Sequence, residues 1–175
     1  PRVADNMMIT RHVIREFGKY ALGAEHSNLI SSIVPGVMAQ TGMESLEIIR
    51  GVIRETEPDC IVAVDALAAR SVKRLNRTIQ ITNTGINPGS GVGNHRHGLN
   101  RESVGIPVIA IGVPTVVDAA TIVNDAISGY YEEVDCTLNS FFVTPKDIDE
   151  SIKRLSFTIS EGLNLAFEKT ACTNS

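Results

Sequence analysis

The order of apolar segments predicts an α/β fold, a three-layer, mostly parallel sheet with helices on both faces. Three observations carry that expectation. Helix-spaced and strand-type apolar runs alternate along the chain. Two of the strand-type runs, Cys60 to Val64 and Val108 to Ile111, are apolar at every position, as a sheet covered on both sides demands. The 175 residues are 43% hydrophobic and 21% charged, enough apolar material for the core of one domain spanning residues 1–175.

Each element has its own signal. Val3, Met7, Ile14 and Phe17 recur at helical spacing and predict an amphipathic helix ending near Gly18. Ser31 to Val34, stopped by Pro35-Gly36, reads as a short strand. Leu46, Ile49 and Ile53 share one face of a helix that begins near Met43 and is ended by Pro58. The Cys60 strand follows, with the cysteine read as a small core residue. Thr78 to Ile81 alternates as an edge strand does, and Val108 to Ile111 is the last strand. A helix over 118–128 turns Ala119, Ile122, Val123 and Ile127 inward. Thr144-Pro145-Lys146-Asp147 supplies an N-cap, a first-turn proline and an acid for a closing helix over about 145–169. Its inward stripe is Ile148, Ile152, Leu155, Ile159 and Leu163. Two long loops remain, 83–105 and 129–140, and long loops in compact domains usually carry function.

Composition excludes several classes. A net charge of −4 offers no basic field for nucleic acid. The longest apolar stretch, Ile106 to Val117, is broken by Pro107, Gly112 and Pro114 and is too short to span a bilayer. Cys60, Cys136 and Cys172 are odd in number and widely spaced, which points to a reducing, cytoplasmic setting and makes the sequon Asn76-Arg77-Thr78 a chance match. No Met opens the chain and no signal peptide begins it, so residues are expected before Pro1.

Ligands of open α/β sheets bind at the carboxyl ends of strands. Asp65 is the one acid expected directly at such a tip, behind four apolar residues whose burial raises a carboxyl pKa toward general-acid use. Its other reading is a cap on the Ala-rich turn that follows. Gly89-Ser90-Gly91-Val92-Gly93-Asn94 lacks the third glycine of a dinucleotide fingerprint and any Gly-Lys-Ser/Thr, so no cofactor is expected. The loop suits close approach to a peptide backbone, or is a plain surface turn. His95 and His97 have no third ligand nearby in sequence, so no metal is expected. Neither Ser71 nor Ser90 stands in a Gly-x-Ser-x-Gly elbow, which argues against a serine hydrolase.

Five segments stand out together: Pro35-Gly36-Val37-Met38 with Thr41-Gly42; Asp65-Ala66-Leu67-Ala68-Ala69-Arg70-Ser71; Pro88 to Asn94; Gly105 to Gly112 continuing through Pro114 to Ala119; and Phe142-Val143-Thr144-Pro145-Lys146. In this order, from Pro1 to about Phe167, they resemble the germination protease family of spore-forming bacteria. The resemblance implies a cytoplasmic (spore-core) endopeptidase that begins degradation of small acid-soluble spore proteins, made as a zymogen and assembled as a homotetramer. It also implies a fold like that of hydrogenase-maturation peptidases, the phosphorylase-like class, and an atypical aspartic mechanism with two carboxylates. One of them maps onto Asp65. The other belongs to an Asp-Ala-Leu-Gly-Pro segment whose proline matches Pro1, and so is expected upstream of the chain. Thr41, Gly42, Gly89, Ser90 and Gly91 are the candidates to hold the substrate backbone. Asn83, Asn87, His95 and His97 stand where the family often has Asp, His, Lys and Lys, and the 129–140 stretch is shorter than the insert of many members. Two rivals remain open: a metal-dependent peptidase with Asp65 as a ligand, and a non-catalytic member that only binds partners.

Overall fold

A computed structural model describes residues 1–22, 28–87, 97–127 and 140–168. The chain divides into two compact units, Pro1–Val34 with Glu150–Ser175, and Pro35–Asp149.

In the first unit the expected opening helix is interrupted. A 3-10 turn at Ala4–Asn6 is followed by extended chain, and α1 spans only Arg11–Phe17, ending as expected at Gly18 with φ of 84°. The break has a hydrogen-bonding cause. Met8 donates its N–H to Asn164 Oδ1 at 2.9 Å, while the amides of Thr10 and Arg11 both donate to Ile30 O, at 3.2 and 3.0 Å. Thr10 is buried, and its hydroxyl donates to Asn28 O while accepting the Ile30 N–H. The strand expected over Ser31 to Val34 does not form: these residues are exposed and belong to no ladder. Apolar character alone cannot make a strand without a partner edge to bond it.

The long helix α6, Ile148–Phe167, belongs almost wholly to this unit and begins later than expected. Thr144 does not cap it, because its hydroxyl donates to Thr115 O at 2.9 Å. The predicted stripe holds: Ile159 is buried and Ile148, Ile152, Leu155 and Leu163 are half-buried. Between them Ser151, Ser156 and Ser160 are buried too, with the Ser160 hydroxyl satisfied by Ser156 O at 2.9 Å.

The second unit carries the sheet. Its strands are β1 (Ile61–Ala69), β2 (Gln80–Thr82), β3 (Val108–Asp118) and β4 (Phe142–Val143). β3 is central: it pairs parallel with β1, and antiparallel with β2 and β4. The sheet is therefore mixed rather than mostly parallel. The connection from β1 to β2 holds only a 3-10 turn at Val72–Arg74, too little chain for the helical crossover that a parallel neighbour needs.

Both long strands outrun their expected ends. β1 continues through Asp65 to Ala69, and β3 through Gly112 and Pro114 to Asp118. Pro114 is tolerated because the register slips beside it: Leu67 faces Pro114 and Ala68 faces Val116, which leaves Thr115 as an extra residue. A bulge is where a strand can hold a residue without an N–H. Cys60 lies before β1 and is exposed, so it is not a core residue.

Helix α2 (Met38–Thr41) ends on Gly42 at φ 68°, and α3 (Ser45–Thr56) follows it. α3 opens on Glu44, whose carboxylate takes the Glu47 amide while the Glu47 carboxylate takes the Glu44 amide at 2.8 Å. Leu46 of α3, Leu99 and Val108 form a buried cluster, with Ile49, Ile61, Ala63, Ile86 and Val104 packed against it. The 83–105 stretch is not structureless: Ile86 and Leu99 exchange backbone bonds of 2.9 and 2.7 Å, and α4 (Arg101–Val104) follows, capped by Asn100. Helix α5 (Ala119–Ile127) follows β3 directly. Among the described residues, no helix is long and apolar enough to cross a membrane.

Candidate active site

Asp65 is the fifth residue of β1 and stands opposite Gly112 of β3, which in turn faces Gln80 of β2. It is therefore neither at a strand tip nor a cap: the Ala66 to Ala69 stretch that a cap would serve is strand. The corrected position is inside the sheet, on the face that carries Ile61 and Ala63 into the Leu46 cluster. Asp65 is half-buried there. A carboxylate in such a row costs free energy to desolvate, so its presence calls for a function or a dedicated partner.

Gly112 completes this row by having no side chain. A Cβ on it would lie 2.7 Å from Cγ of Leu67 and closer still to one of its methyl groups. Leu67, two residues beyond Asp65 on the same face, thus covers the glycine beside the carboxylate.

The other expected site residues sit as follows. Thr41 and Gly42 form the end of α2: the Gly42 amide donates to Met38 O at 2.8 Å, and Thr41 Oγ1 accepts the Met43 amide at 3.2 Å. The Thr41 hydroxyl is thus committed to its own turn. Gly89, Ser90 and Gly91, with His95, lie outside the described residues, as does nearly all of the 129–140 stretch. His97 Nδ1 lies 2.6 Å from Glu44 Oε2, and both Nε and an Nη of Arg50 donate to Ser103 O, at 3.0 and 2.8 Å. The structure thereby joins His97 to the turn that follows Thr41-Gly42. Nothing in the sequence signals this pairing, since 53 residues separate its partners.

Two further acids are structural. Glu44 and Asp118 cap helices. Burial pushes the Asp118 carboxyl up, but bonds from the Thr121 hydroxyl and amide, both 2.7 Å, outweigh it and hold the group below its ordinary value. Ser71, in the same motif as Asp65, donates to Asp125 Oδ2 at 3.0 Å, and that oxygen also accepts the Val72 amide at 2.8 Å. This bond fastens the exit of β1 to α5. Among the described residues, no three His, Cys, Asp or Glu side chains converge as a metal site would require.

The fold and site define an α/β protein with a half-buried carboxylate, Asp65, in the middle of a sheet strand. Comparison with known proteins assigns it further: residues 1–134 match the germination protease family, and the chain belongs to that family. It is 42% identical to the germination protease of Caldanaerobacter subterraneus subsp. tengcongensis over 198 aligned residues, covering 96% of this chain and 60% of the relative. It is 40% identical to that of Clostridium perfringens strain SM101, with the same coverage. Against that of Bacillus velezensis it is 54% identical over 127 residues, 73% of this chain and 34% of the relative. The chain thus spans about 60% of the length of the first two relatives. The first two alignments are longer than the chain itself, so those relatives carry segments that it lacks.

Proposed function

We propose that this chain is the core of an endopeptidase that begins the degradation of small acid-soluble spore proteins during germination. Membership of the germination protease family carries this reading, together with a carboxylate, Asp65, held in the sheet within the residues that match the family. In this reading Asp65 is one of two catalytic carboxylates, and the other lies in polypeptide outside these residues. The ionised carboxylate accepts a proton from water as the oxygen attacks the scissile carbonyl. The protonated one donates a hydrogen bond to the carbonyl oxygen, then surrenders its proton as the tetrahedral intermediate collapses and the amine leaves. Two carboxyl groups at close range cannot both ionise freely, which supplies that split. In this reading the glycine loop from Gly89 to Gly91 holds the substrate backbone. Zymogen processing, a homotetramer, a spore-core location and the three-layer arrangement of the hydrogenase-maturation peptidases complete the proposal.

The test is cleavage of a recombinant small acid-soluble spore protein by the full-length, activated polypeptide. Cleavage that Asp65→Asn abolishes in a folded protein supports the reading. A wild-type protein that leaves the substrate intact refutes it.

A further inference from the structure

Among the described residues, β2 has one edge bonded to β3 and no strand paired with the other. The Ile61 amide donates to Pro107 O at 2.9 Å, and Ile61 is in register with Val108. In a parallel ladder this phase turns the backbone groups of Ile109, Ile111 and Val113 toward β1, and those of Ala110 and Gly112 away from it. Gly112 faces Gln80 and Ala110 faces Thr82, so Gln80 and Thr82 spend their N–H and C=O groups on β3. Ile79, Ile81 and Asn83 therefore direct theirs outward. Among the described residues, no backbone hydrogen bond reaches these three.

This edge is unprotected by the usual means. Open strands are normally blunted by charge, proline or a covering segment. Thr78 to Asn87 contains no charged residue and no proline, and Ile79 through Thr84 are all exposed. Ile81 is 70% exposed, and in the same row lie Ile111 and Val64, the latter 40% exposed. The open edge thus stands beside an apolar ledge on the sheet face opposite Asp65.

We infer that this edge is a remote substrate subsite, where an extended segment of the protein substrate adds as a strand through backbone bonds to Ile79, Ile81 and Asn83. Alternate side chains of that segment, apolar in character, lie against Ile81, the residue of the ledge nearest the open edge. The inference rests on the peptidase reading above. A second copy fits the edge poorly: self-pairing of a three-residue strand is far short of the roughly 20–30 residues a side of a stable interface. A transient peptide needs no such area. The added strand lies three sheet spacings, roughly 14 Å, from β1, so the docked segment sits about four or five residues along the substrate from the bond at Asp65.

The test uses the full-length protein. In an Asp65→Asn background, amide hydrogen exchange at residues 79–83 is measured with and without a recombinant small acid-soluble spore protein. Slowing on addition of that protein is the expected result. Exchange equally fast in both conditions overturns the inference. So does protection already present in the free protein, which means self-pairing if it depends on concentration and cover by its own polypeptide if it does not. Kinetics give a second arm: Ile81→Pro removes an outward donor without touching the β3 ladder. It should raise KM for the protein substrate about tenfold, while a six-residue peptide spanning the cleaved bond is turned over as before. An unchanged KM on the protein substrate counts against the subsite even where wild-type cleavage upholds the peptidase reading.

Discussion

Leu67 lies over Gly112, so that any side chain on the glycine would enter the space the leucine already fills. The contact runs diagonally across the ladder, from Leu67, two residues beyond Asp65, to the glycine that pairs with Asp65. Gly112→Ala should therefore destabilise the protein by about 1–3 kcal/mol through overpacking. In a Leu67→Ala background the same substitution should cost clearly less. Urea denaturation of the two single variants and the double variant measures the coupling, and additive effects would show that the two residues do not share this space.

Asp65→Asn removes a charge at nearly constant volume from the middle of a strand. Proteolytic activity of the full-length protein should fall by at least about a thousandfold, about 4 kcal/mol of barrier, with unchanged circular dichroism. A folded Asp65→Asn protein cleaving at the wild-type rate would remove Asp65 from the mechanism.

The Glu44–His97 contact predicts unequal effects from its two ends. Glu44→Ala loses a helix cap as well as the bond to His97 and should cost about 1 kcal/mol. His97 is 75% exposed, so His97→Gln should cost less than that. Urea denaturation midpoints of the two variants provide the comparison.

Asp118 predicts a pH response of definite sign. Its carboxyl is held below the ordinary value in the folded chain, so the unfolded chain binds the proton more readily. Its stabilisation is present above the unfolded pKa, near 3.9, and is lost as pH falls through the folded value. Asp118→Asn should flatten the acid limb of stability against pH. An acid limb identical to wild type would mean that the Thr121 bonds contribute nothing.

Cys60 is exposed, and alkylation of it in the folded protein should proceed at a rate ordinary for an accessible thiol. Activity after alkylation should stay within about tenfold, as it should for Cys60→Ala and Ser90→Ala. Complete loss in a folded Ser90→Ala protein would replace the aspartic mechanism with a serine one.

Periodicity is local, and it was legible in the chain. The Leu46–Ile49–Ile53 face of α3, the Ile148 to Leu163 stripe of α6 and the β1 and β3 cores all stand where their residues predict. The family is legible as well, because its motifs occur in order along the chain. Strand ends were not. Gly112 and Pro114 read as terminators, yet a partner strand and a one-residue register slip carry β3 through both. That displacement moved Asp65 from an expected tip to the middle of β1. Strand direction, the failure of Ser31 to Val34 to pair, and the meeting of Glu44 with His97 depend on which distant backbone lies alongside. The sequence by itself determined which segments are apolar and which faces of the helices turn inward. Only the tertiary structure decided how far each strand runs and what faces it, because hydrogen-bond partners and side-chain space in a sheet are supplied by residues remote in the chain.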